Sequence, residues 1–135
     1  MKIYHFKEAV EQPAVVTGLI IEWMESKEFI PKLHEFTALE SLEITHTDLA
    51  DLPEIPLPTL QRLLLSHNRL TSLPVAITKL QHLETLCINE ENLEHLPEEL
   101  CELKRLNFFE LNSPKLRDTD SLAKAFAHWP HLKTL

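Results

Sequence analysis

Three residues invite a chemical reading first. His46 and His67 stand 21 residues apart and Glu90 follows 23 residues later. Two imidazoles and a carboxylate form the kind of set that open catalytic zinc sites use. The spacing matches a period that runs through the chain, so the three would lie in line on neighbouring strands. A row of that kind does not converge tetrahedrally on one ion, and no second shell of orienting partners is evident. The same histidines could instead make binding sensitive to pH near their unperturbed pKa of about 6.5. His128 and His131 flank Trp129-Pro130, where proline denies them a shared helical face. Neither cysteine sits in a nucleophile signature, there is no GxSxG elbow, and a single glycine excludes phosphate-cradling and dinucleotide-binding loops. The expectation is a chain that is not an enzyme and carries no cofactor and no metal.

The elements that would position these residues follow from the stretch Leu60 to Leu80. Leu60, Leu63, Leu65, Leu70, Leu73 and Ile77 are spaced as LxxLxLxxNxLxxLPxxI, with Asn68 between the two groups and Pro74 after Leu73. Leu63 and Leu65 alternate with Arg62, Leu64 and Ser66, which predicts a short strand with one face inward. Leu70, Leu73 and Ile77 bring the chain back over the same core. One such coil cannot bury its apolar face alone, so copies must stack on it. Leu39, Leu60, Leu83 and Leu106 open successive copies 21, 23 and 23 residues apart, and a weaker copy with Val16, Leu19, Ile21, Phe29 and Leu33 precedes them.

This pattern resembles the leucine-rich repeat family, of the bacterial type LxxLxLxxNxLxxLPxxL. The resemblance implies an α/β fold: a right-handed leucine-rich repeat solenoid with a parallel concave β-sheet and short 3₁₀, turn or helical convex segments. Residues 1–135 read as a single domain, with repeats from about residues 16, 39, 60, 83 and 106 and a partial one from 132. Residues 1–15 predict a helical N-terminal cap, because Phe6, Ala9 and Val10 share a helical face before Pro13. In the family an asparagine column bonds backbone groups in the turns. Here the column reads Met24, Thr47, Asn68, Glu91 and Pro114, so only Asn68 matches and Thr47 can substitute. The turns at Met24, Glu91 and Pro114 are expected to be irregular. Leu52-Pro53, Leu73-Pro74 and Leu96-Pro97 suit short 3₁₀ or extended returns, and PEIPLPT should be the least helical coil. Asp118 or Asp120 could cap a helix in which Leu122, Ala125, Phe126 and Trp129 share a face, with Phe126 and Trp129 as core.

Composition narrows the function. A net charge of −8 and a pI near 5.4 would repel nucleic acid and anionic membrane surfaces. No apolar run approaches the length of about 18 that a membrane span needs, and the N-terminus lacks a signal-peptide core. The expected location is cytoplasmic. Cys87 and Cys101 fall on opposite sides of their coil, so a disulfide is not expected. The resemblance implies a non-enzymatic protein–protein interaction module that binds a protein or peptide on its concave face. The residues it would present are Trp23, Glu43, His46, Leu64, His67, Glu90, Phe108 and Glu110, apolar anchors among carboxylates, which suits a partner with basic residues. An alternative is a structural or assembly role: an open strand edge at Leu132 to Leu135 would let two copies pair as a homodimer.

Overall fold

The computed structural model describes residues 2–129. Six parallel strands form one sheet in chain order: β1 (Ile3–His5), β2 (Gly18–Glu22), β3 (Ser41–Thr45), β4 (Arg62–Ser66), β5 (Thr85–Asn89) and β6 (Phe108–Asn112). Their register follows the repeat. Leu42, Leu63, Leu86 and Phe109 pair in one row and Ile44, Leu65, Ile88 and Leu111 in the next, and all but the half-buried Leu111 are buried. The intervening positions turn outward because successive side chains of a strand point to opposite faces. Leu49, Leu70 and Leu93, then Leu52, Leu73 and Leu96, close the same core from the return side. The solenoid is thus one continuous apolar column with a sheet as one wall.

Another row completes that core: Phe36, Leu57, Leu80 and Leu103, all buried and 21, 23 and 23 residues apart. Each accepts a hydrogen bond from the backbone N–H three residues on, at Leu39, Leu60, Leu83 and Leu106, in a tight turn that feeds the next strand. The convex returns are short, and the first opens with the one-turn helix α2 (Ser26–Phe29). Ile30–Glu35, Val75–Lys79 and Glu98–Glu102 are 3₁₀ turns, the last two entered from Pro74 and Pro97, whose fixed φ suits that position. The coil with prolines at 53, 56 and 58 has no helical turn at all.

The N-terminus differs from a purely helical cap. Residues Ile3–His5 pair in parallel with Gly18–Ile20 before the chain turns into α1 (Phe6–Ala9). Tyr4 turns toward the core while Ile3 and His5 are exposed, a two-residue alternation too short to stand out from the helical spacing that follows it. At the other end α3 (Thr119–Ala127) packs on the Glu98–Glu102 turn. Ala125 and Trp129 are buried, Trp129 against Phe109 with ring centroids 5.1 Å apart, whereas Phe126 is partly exposed. Asp118 precedes α3 but does not cap it with its side chain. Its carboxylate instead accepts the N–H of Leu96 at 3.1 Å and contacts His95, tying the helix to the preceding coil. Both cysteines are free. Among the described residues no helix is long and apolar enough to cross a membrane. The edge expected at Leu132 to Leu135, with Pro130 and His131, lies outside the described residues.

Candidate functional site

The concave face carries two groups of side chains, set by two rows of the repeat. The first row follows the last residue of each strand. Trp23, His46 and His67 occupy it and share a left-handed backbone, with φ of 56°, 52° and 54°. Each donates its N–H to the next coil, to the carbonyls of His46, Ser66 and Asn89 respectively, which locks the row to the sheet. Left-handed backbone is tolerated by histidine and is uncommon for a residue as bulky as tryptophan.

Equivalent backbone in adjacent coils aims the three rings the same way, at nearly the inter-strand spacing of about 4.8 Å. They stack: Trp23 on His46 with centroids 4.2 Å apart and planes 18° apart, His46 on His67 at 4.7 Å and 2°. Parallel, face-to-face imidazoles direct their nitrogens outward side by side, so they do not converge on an ion. His67 Nδ1 lies 2.6 Å from Ser66 Oγ. Among the described residues no group of three His, Cys, Asp or Glu side chains could hold a metal ion.

Glu90 ends this row and departs from the expectation of a partner-facing residue. It is wholly buried, because its carboxylate points into the turn and not onto the concave face. Oε1 accepts the backbone N–H of Asn68 at 3.0 Å and Oε2 accepts Asn68 Nδ2 at 2.8 Å. Asn68 in turn donates to the carbonyl of Ile44 at 2.9 Å and accepts from both the N–H and the hydroxyl of Thr47. Burial pushes the Glu90 carboxyl above its ordinary value, opposed by the hydrogen bonds of Asn68 and Leu70 and by the nearby His67. The turns expected to be irregular are therefore rebuilt from neighbouring positions. Glu90 supplies what the exposed Glu91 does not, and Ser113, next to Pro114, donates to the carbonyl of Leu93 at 2.7 Å. At Met24 the carboxylate of Asp48 accepts the N–H of Ser26, which holds Asp48 below the usual carboxylate range.

The second group lies mid-sheet. Glu43, Leu64, Cys87 and Glu110 are consecutive partners across β3 to β6. Leu64, Ser66, Cys87, Asn89, Glu110 and Asn112 line a shallow cleft of about 170 Å³. Burial, with the Glu110 carboxylate beside it, pushes the Cys87 thiol up, which keeps it protonated and a poor nucleophile at neutral pH. Phe108, at the start of β6, is half-buried beside Thr85, and Glu110 is exposed. Of the residues expected on this face, Trp23, His46 and His67 stand together in the stack, and Glu43, Leu64 and Glu110 share the central row. Phe108 stands at its edge, and Glu90 is part of the fold. Cys87, Asn89 and Asn112 belong to the same surface and follow from the outward alternation of the strands. His5 and Glu22, 3.4 Å apart at its N-terminal end, depended on a strand at residues 3–5 that the sequence masks as a helix.

Residues 58–116 match the leucine-rich repeat family. A leucine-rich repeat protein from Leptospira interrogans superposes with a TM-score of 0.72 at 25% identity; the alignment covers 100% of this chain and 34% of that one, so the chain spans about a third of its length. An internalin from Listeria monocytogenes aligns at 14% identity over 89% of this chain and 45% of that one, with a TM-score of 0.39, a looser likeness on which nothing further rests. No curated protein sequence matches the chain. Six parallel strands in the repeat register, with the family match at residues 58–116, give the chain the leucine-rich repeat fold.

Proposed function

We propose that this solenoid is a non-enzymatic protein-interaction module that receives a protein or peptide with basic residues on its concave face. The observation that carries the reading is the central row, where the half-buried Leu64 and Cys87 lie between Glu43 at one end and Glu110 at the other, with Phe108 at its edge. Apolar centres rimmed by charge are the usual anatomy of protein interfaces, with a few large side chains carrying most of the energy. Leucine-rich repeats as a family serve as interaction surfaces, which supports the same reading. The net charge of −8 adds long-range attraction for a basic partner.

The test is affinity capture with Leu64→Ala plus Phe108→Ala, and separately with Glu43→Lys plus Glu110→Lys, each checked for an unchanged far-UV circular dichroism spectrum. Both pairs should lose the partner that the wild type retains, and capture should weaken as salt is raised because exposed charges are screened. Undiminished capture by both variants would sink the concave-face reading.

A further inference from the structure

Trp23 is the most exposed large apolar side chain described, at 74%, and one of its two faces is already covered by His46. Its other face looks toward β1 and α1, into a cleft of about 400 Å³ whose walls include Ile20, Phe6 and the carboxylates of Glu8 and Glu22. That volume lies within the range of ligand pockets. A bare indole face beside carboxylates is complementary to a planar cation, which gains attraction from the ring quadrupole and from the charges together. We propose that this cleft receives an arginine side chain of the partner, the guanidinium stacked on Trp23 and paired with Glu22.

The carboxylates on the two sides of the ring differ in how committed they are. On the His46 side, Glu25 is paired with Lys27 at 3.1 Å, Glu28 accepts the N–H of Glu25, and Asp48 accepts that of Ser26. On the β1 side Glu22 contacts only His5 among the described residues, in an exposed pair of the kind that contributes little. Lys7 also lines that cleft. Around the ring, however, five carboxylates, Glu8 and Glu22 with Glu25, Glu28 and Asp48, stand against three cations, Lys7, Arg69 and the Lys27 paired with Glu25, so the field at the ring favours a positive guest. Arginine fits better than lysine because its planar guanidinium stacks on an aromatic face and offers a fork of donors to a carboxylate. The proposal rests on the concave-face reading above and specifies one contact of it.

The chain has two tryptophans, and Trp129 is only 3% exposed, so the indole N–H signals of a ¹⁵N-labelled sample contain their own reference. Titration with a capped Gly-Arg-Gly peptide should shift the Trp23 signal saturably and leave Trp129 in place. Trp23→Asn, a residue that accepts the left-handed backbone, should abolish the titration without unfolding the chain. Glu22→Gln should weaken it about 2- to 5-fold, the worth of an exposed pair. The same peptide with citrulline in place of arginine should shift nothing. An unshifted Trp23, or an equal shift with citrulline, overturns the proposal. Either result leaves the concave-face reading standing if capture still depends on Leu64 and Phe108.

Discussion

Glu90 is a carboxylate kept in the wall of a protein for its two acceptors. Asn68 offers two donors, its backbone N–H and its side-chain amide, and the two oxygens of Glu90 take one each. Glu90→Gln replaces one oxygen, which can accept whether or not the carboxyl is protonated, by an NH2 that only donates, so it should cost about 1–3 kcal/mol in urea unfolding. The cost should also depend on pH. Burial raises the folded pKa of Glu90, so its contribution is full below its ordinary value of 4.5 and is lost as pH rises through the raised value. Glutamine does not titrate, and the gap between wild type and variant should therefore be wider near about pH 4 than near about pH 7. A gap that is constant or widens with pH would mean that Glu90 is held as an anion by its donors. This residue also marks how far the site was legible. The repeat period puts Trp23, His46 and His67 in one row, although they share the inward parity of Ile21, Ile44 and Leu65; the left-handed backbone after each strand turns them out. At Glu90 that left-handed backbone is absent, so the side chain keeps the inward parity of Leu86 and Ile88 and completes the turn, and reading the whole row as outward fails there.

At the scale of the element, the repeat separates residues that hold the coil from residues that face outward by a single step along the strand. Leu63 and Leu86 are 1% and 0% exposed, and truncation of either to alanine should cost about 2–5 kcal/mol by thermal or urea unfolding. Leu64, one residue on, faces the concave side, and Leu64→Ala should cost at most about 1 kcal/mol, nearer the range of surface changes. Equal costs at positions 63 and 64 would contradict the register. Strands β2 to β6 and the 3₁₀ returns were legible because each is repeated with the same spacing, so several copies vote for one pattern. β1 was not, since three residues with two outward side chains leave no periodicity to detect. The α3 cap was half legible. The apolar face at Ala125 and Trp129 predicts burial, but Asp118 is drawn away from the helix start by the backbone N–H of Leu96.

Across the whole molecule, each coil touches mainly the coils before and after it, as the paired strands and adjacent returns show. Stability in such a stack is a sum of neighbour terms, so the inner coils should open last. Native-state hydrogen exchange should find the amides of β3, β4 and β5 slowest and those of β1 fastest, and uniform protection from β1 to β5 would show an all-or-none unit instead. The returns are not uniform, however. The backs of three coils are braced by 3₁₀ turns, while the coil of Pro53, Pro56 and Pro58 crosses without one, and between it and Lys79 to His82 lies a notch of about 290 Å³. On the front, the sheet holds every coil at one spacing. A rod stitched evenly along one side and slackened at one point along the other is softest to bending at that point. Under the proposed concave-face reading, any bending of the sheet on binding is expected at the proline coil.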